Sequence, residues 1–206
     1  GRNHHAVGMG TLANYDMGYP GYRGRITKDA AMMPEILRGV GYNSFAVGKW
    51  HLTPMHHTGP TGPFDQWPTQ RVNDRFYGFM DGAMNPREPF LTEDNHHVAT
   101  PDDPNYHLSI DITNRALSMI TSQKSLAPEK PFFLYMAFGA GHSPHHVPKE
   151  MIDEYVPIFE KGWDVTRDER IARQKAMGII PQDTVLPPRN PGVRAWTELN
   201  ADEKRL

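Results

Sequence analysis

The sequence predicts an α/β fold in which a mainly parallel central sheet is flanked by helices, and three features of the chain predict it. A helical pattern runs directly into an extended stretch twice, at residues 27–47 and again at 109–138. The second extended stretch, Pro131 to Phe138, is continuously apolar. That is the mark of a strand covered on both faces, as in a parallel sheet. Both stretches then break at glycine and present histidine, as Gly48-Lys49-Trp50-His51 and as Gly139-Ala140-Gly141-His142. Ligands of open α/β sheets bind beyond the carboxyl ends of the strands. If the two strands are parallel neighbours in one sheet, Lys49, His51 and His142 converge on one edge.

Composition narrows the function classes. A chain of 206 residues can form one large domain or two small ones with a sizeable core. Its 22 Lys and Arg against 24 Asp and Glu leave a net charge of −2, evenly spread. No basic footprint therefore argues for nucleic acid or an anionic membrane surface, and a small-molecule partner fits better. No apolar run approaches the ~20 residues of a membrane-spanning helix. The absence of cysteine removes disulfides, thiolate metal sites and a cysteine nucleophile from these residues. The 18 glycines and 19 prolines point to long loops in a packed fold.

Taken in order, residues 1–26 are rich in glycine and tyrosine, lack any period of 2 or 3.6, and read as an ordered loop. From Thr27 or Asp29 the pattern turns helical. Met33, Ile36, Leu37 and Val40 share one face, predicted to be buried, with Pro34 in the first turn and Gly39 or Gly41 at the end. A strand from Tyr42 to Val47 follows. Residues 53–107 carry eight prolines and little regular signal, and Phe64, Trp67, Phe76, Tyr77 and Phe79 mark them as a long, ordered substrate-side loop region. Ile112, Ala116, Met119 and Ile120 define a helix over about Ser109 to Gln123, ahead of the strand at 131–138. Next come a short helix from Pro148 to Tyr155, a charged helix from Arg167 to Met177 and a proline-rich connection from Pro181 to Val193. Within Leu199–Leu206, Asn200 with Glu203 three residues on forms a capping-box start for a final helix. This helix start at one end, and a first residue that is not methionine at the other, suggest a piece of a longer polypeptide.

The site so outlined is cationic and rich in hydrogen-bond donors. A lysine and imidazoles facing one spot suit an oxyanion whose charge grows at a leaving oxygen, because positioned donors stabilise that charge and a histidine can hand over the proton. Sulfate and phosphate esters fit that description. Histidine pairs recur at 4–5, 56–57, 96–97 and 145–146. Adjacent histidines point apart on a strand, and no His-Glu-x-x-His, nor a His-x-His with a third ligand, accompanies them, so they read as loop and surface residues in preference to a zinc site. Asp81, Asp102 and Asp103 read as turn or cap residues.

The string from Gly41 to Leu52, GYNSFAVGKWHL, resembles the second signature of the sulfatases, within the alkaline-phosphatase-like superfamily. Gly1-Arg2-Asn3-His4-His5 is similar to the tail of the first signature, and Phe132 to Lys149 resembles the bacterial arylsulfatase segment that supplies a substrate histidine. Asp74 to Phe79 and Ala172 to Lys175 extend the likeness over essentially the whole chain. The resemblance implies a calcium-dependent hydrolase of sulfate monoesters on an alkaline-phosphatase-like sandwich, with residues 1–206 a partial catalytic domain and 157–206 its helix and proline-rich connection. It also implies a formylglycine hydrate as nucleophile, made by a maturation enzyme from a Cys/Ser-x-Pro-x-Arg motif. Carried over residue by residue, Lys49 contacts the sulfate, His51 hydrogen-bonds the hydrate and helps to expel sulfate, and His142 binds sulfate and ester oxygen near the leaving group. The nucleophile motif and the family's calcium ligands fall outside residues 1–206, and Asp16 and Asp81 do not replace them. The 206 residues alone are expected to be inactive. A phosphonate or phosphate ester hydrolase of the same superfamily, or a catalytically dead homologue that binds sulfated ligands, are the alternative readings.

Overall fold

The computed structural model describes residues 1–71 and 73–205. The chain divides into two compact units, residues 1–146 and 147–206. In the first, β1 (Asn43–Lys49) lies inside a five-stranded sheet of order β4-β3-β2-β1-β5. Its neighbours β2 (Arg75–Phe79) and β5 (Phe132–Ala137) both run parallel to it, with Gly48 opposite Gly78 on one side and Ala137 on the other. The two strands expected to be parallel neighbours are so. Beyond β2, β3 (Leu91–Glu93) and β4 (His96–Val98) continue the sheet antiparallel.

Alternate residues of the central strands supply two cores, one on each face. Val47, Tyr77, Phe79 and Leu91 pack against helix α3 (Leu108–Leu126) through Leu108, Ile112 and Ala116, which the helical repeat stacks on one stripe. Ala46 and Phe76, one residue out of step with Val47 and Tyr77, pack with Trp50, Trp67 and Met80 on the other face. Beside the α3 core, the Asp111 carboxylate accepts hydrogen bonds from the Tyr77 hydroxyl at 2.5 Å and the Tyr106 hydroxyl at 2.8 Å. Burial, and then that carboxylate, push both phenols well above their ordinary range, so they stay neutral donors.

Three expectations are corrected. The apolar run at 131–138 is not covered on both faces: β5 is the edge strand, Leu134 and Met136 pack towards the α3 core, Phe133 is half-buried, and Tyr135 is 47 % exposed. The doubly covered strand is β1, which has a strand on each side and a core on each face. The helix foreseen from Thr27 or Asp29 is only α1 (Met33–Arg38), and its expected apolar face is open: Met33, Ile36 and Val40 are exposed, and Pro34 is its buried residue. Finally, residues 53–107 hold the short helix α2 (Pro68–Arg71) and the strands β2, β3 and β4 in place of a long loop. Asp94 closes the β3–β4 hairpin in the left-handed region, at φ 51°, and its carboxylate accepts the Phe76 amide at 2.9 Å.

In the second unit, α4 (Lys149–Phe159) and α5 (Gly162–Ala176) are both longer than the segments 148–155 and 167–177 read from the sequence. Asp164 on α5 accepts the Trp196 amide and the Arg189 guanidinium, each at 2.9 Å, and the Trp163 and Trp196 rings meet edge to face. Helix α6 (Ala201–Arg205) starts as expected, with Asn200 Oδ1 accepting the Glu203 amide and Glu203 accepting the Asn200 amide. The end of the expected segment, Leu206, lies outside the described residues. Among the described residues no helix is long and apolar enough to cross a membrane.

A hydrogen bond to a charged acceptor is worth about 1.5–3 kcal/mol. Tyr106→Phe should therefore lower unfolding free energy by about 1.5 kcal/mol, the low end because Tyr77 still serves the carboxylate. A urea melt with an unchanged midpoint would show that the Asp111 cluster contributes nothing to the fold.

Candidate functional site

At Gly48 the sheet has no room for a side chain. The residue takes φ +96°, and a Cβ there would lie 1.9 Å from the Ala137 carbonyl oxygen. Gly78, level with it on β2, is pressed equally close to the Gly48 carbonyl. Pairing continues past this point, with Trp50 N donating to Phe79 O at 3.0 Å and His51 N to Met80 O at 3.2 Å. Trp50 turns into the core, where its indole N–H donates to the Thr53 hydroxyl and the Gln66 carbonyl. Lys49 and His51 flank that anchor, half-buried at the carboxyl edge of the sheet.

One glycine serves both. The Lys49 ammonium donates to the Gly82 carbonyl at 2.6 Å, and Gly82 lies so close to the imidazole that a Cβ on it would be 2.5 Å from His51 Cε1. His51 itself sits at φ 51°, unusual for a residue with a side chain. Its Nε2 donates to Asn14 Oδ1 at 2.7 Å, which leaves Nδ1 as the acceptor of the neutral ring. Burial first, and then the Lys49 ammonium, hold the imidazole below its ordinary pKa. Asp81 opposes this and His142 adds to it. His51 is thus a neutral base beside a cation.

His142 stands on the loop after β5. Its backbone N–H donates to Gly139 O at 3.2 Å, its Nδ1 donates to the Ser143 carbonyl at 2.8 Å, and the residue is exposed. The loop is tied down at its far end by His107, the N-cap of α3. His107 Nδ1 accepts the Ser109 amide at 3.2 Å, and its Nε2 donates to the His146 carbonyl at 2.9 Å. The His146 ring meets Asn85 Oδ1 at 3.2 Å, three residues on from Gly82. The topology therefore brings Lys49, His51 and His142 to one end of the sheet, and the last two are close enough for their charges to interact. Reading the sequence did not find Asn14, Gly82, Asn85 or His107. Only Asp81-Gly82 carried a signal, as a turn pair, because a glycine that acts through its carbonyl and its missing side chain leaves no chemical mark.

Among the described residues no three His, Asp or Glu side chains gather to hold a metal ion. Asp16 is engaged by the Gly18 amide and by Arg23, and Asp81 accepts its neighbour's amide. What remains is an ammonium and two imidazoles with one carboxylate near them, a set that can hold an anion and move a proton.

The model of the sulfatase family matches residues 1–195. An uncharacterized sulfatase of Schizosaccharomyces pombe is 31 % identical over all of this chain and 39 % of its own length. An arylsulfatase of Klebsiella aerogenes is 33 % identical over 91 % of this chain and 40 % of its own. The chain thus spans about two fifths of the length of these relatives. A solved structure, Ps i-CgsB in complex with k-i-k-neocarrahexaose, superposes with a TM-score of 0.56 over 75 % of this chain and 35 % of the other at 21 % identity, a likeness of fold.

Nuclear magnetic resonance titration should place the His51 midpoint below the ordinary histidine value of 6.5, and Lys49→Ala should raise it by removing the adjacent cation. A group with a lowered histidine pKa is neutral in the fold and takes up its proton more readily when unfolded. His51 therefore costs stability only as pH falls below 6.5 towards its own midpoint. A midpoint unmoved by Lys49→Ala would separate the two groups.

Proposed function

This chain belongs to the sulfatase family, and from that premise we propose that Lys49, His51 and His142 are the sulfate-binding and proton-handling groups of a sulfuric ester hydrolase of arylsulfatase type. The observation that carries the reading is their placement at and just beyond the carboxyl ends of β1 and β5, with Lys49 and His142 both acting on a neutral His51. In this reading residues 1–206 form part of one catalytic domain, and its substrate is a small sulfate ester.

Each group has a task that its surroundings suit. Lys49 is paired with a carbonyl and not a carboxylate, so its full charge is available to the sulfate oxygens. His142, exposed on its loop, lies by the ester oxygen, where a proton is needed as the S–O bond breaks. His51 keeps its ring fixed by Asn14 and Gly82 and presents Nδ1 as an acceptor. The nucleophile in this proposal is a formylglycine hydrate supplied, after action of a maturation enzyme, by residues outside 1–206, and calcium is likewise held elsewhere. Both are general to the family, and the steps derived for Lys49, His51 and His142 do not depend on them.

Loss of one positioned donor typically costs about 10²–10³ in turnover. In the full-length protein, Lys49→Ala and His142→Ala should each lower hydrolysis of 4-nitrophenyl sulfate by roughly 10²-fold or more, with thermal unfolding little changed because Lys49 is the last residue of β1 and His142 is exposed on a loop. Wild-type rates in both variants would refute the assignment. Gly82→Ala, at a position whose φ an alanine can adopt, should displace the imidazole and lower turnover by about 10²-fold. A variant with native kinetics would mean that the His51 ring position is immaterial.

A further inference from the structure

A carboxylate stands among the donors of this site. The His51 amide donates to Met80 O at 3.2 Å, and Asp81 follows Met80 directly. Gly82, next in the chain, accepts the Lys49 ammonium and abuts the His51 ring. Asp81 therefore lies between two residues that contact His51. Its carboxylate accepts the Gly82 amide, which folds it back onto this same turn. The residue is exposed, and among the described residues no Lys, Arg or His lies at salt-bridge distance from it. Its negative charge acts on the His51 ring, against those of Lys49 and His142.

A role in the turn accounts for the hydrogen bond but not for the charge, because an asparagine side chain would accept the Gly82 amide as well. What the charge alters is the cost of placing an anion here. A sulfate monoester carries one negative charge. A phosphate monoester, with a second pKa of about 6, carries two above neutral pH. The two are alike in shape, and Lys49 and the imidazoles attract both. A fixed carboxylate beside the bound group repels each in proportion to its charge, and specificity is the difference between the two energies.

We propose that Asp81 is a specificity-determining residue whose carboxylate lowers the affinity of the site for dianionic phosphate monoesters relative to monoanionic sulfate esters. The selection is by charge and not by element, so a monoanionic phosphonate ester is spared it. This rests on the reading of Lys49, His51 and His142 as the sulfate site. The test is competitive inhibition of 4-nitrophenyl sulfate hydrolysis, at about pH 8, by phenyl phosphate, a dianion, and by phenyl methylphosphonate, a monoanion of nearly the same shape. It uses the full-length protein and its Asp81→Asn and Lys49→Ala variants. Asp81→Asn, which keeps an acceptor for the Gly82 amide, should tighten phenyl phosphate about tenfold more than phenyl methylphosphonate, since one extra charge is repelled across a partly solvated site. Nuclear magnetic resonance should find the His51 midpoint lower in Asp81→Asn than in the wild type, a change that a purely structural turn residue would not cause. Inhibition constants that change by one common factor in Asp81→Asn, or not at all, overturn the proposal, as does an unmoved His51 midpoint. Lys49→Ala should weaken both inhibitors. Constants unchanged in Lys49→Ala overturn the sulfate-site reading, whereas a loss there beside a uniform response to Asp81→Asn overturns only the role of Asp81.

Discussion

The close approach of three backbones at Gly48 is the constraint on which the rest of the first unit depends. β1 can lie between β2 and β5 at this level only because Gly48 and Gly78 bring no side chain to it. The left-handed turn of the chain at Gly48 then sets the direction in which β1 leaves the sheet. Trp50 fixes that exit by entering the core beneath, so Lys49 and His51 are positioned from both sides by structure that could not be rearranged cheaply. A rigid scaffold with reactive groups just beyond it is the general arrangement of sites in such sheets.

Charge is distributed to match. Along the carboxyl edge the nitrogen donors meet neutral oxygens: the Lys49 ammonium a carbonyl, His142 a carbonyl, and His51 an amide. Elsewhere cations of the chain meet carboxylates, as Arg75 does with Glu93 and Asp94 and Arg115 with Glu93. An exposed pair of that kind gains little, whereas a cation left with only neutral partners keeps its attraction for an incoming anion. The excess is local, because the net charge of the whole chain is only −2.

Much of this was legible in the sequence, for identifiable reasons. The strand-glycine-imidazole pattern around Gly48 and Gly139 depends on local chemistry, and it correctly placed Lys49, His51 and His142 at one edge. The capping box at Asn200 and Glu203 is likewise local. The misreadings arose where burial depends on what lies alongside. Pro131–Phe138 and Met33–Val40 have core-like composition, yet one is a sheet edge and the other presents its apolar stripe outwards. β3 and β4 were hidden in a proline-rich stretch, although Asp94-Asn95 before His96 could have been read as a two-residue hairpin turn. Asn14 and Gly82 act through tertiary contacts made from loops, and no periodicity reports those.

His107 joins two things that are usually separate. One imidazole caps the first turn of α3 through Nδ1 and, through Nε2, holds the carbonyl at the end of the loop that carries His142. The order of that loop is consequently inherited from the helix: fraying of the α3 terminus and release of the loop are a single opening event. The Ser109 amide is a reporter of that event, because its hydrogen exchange measures how often the loop that carries His142 lets go.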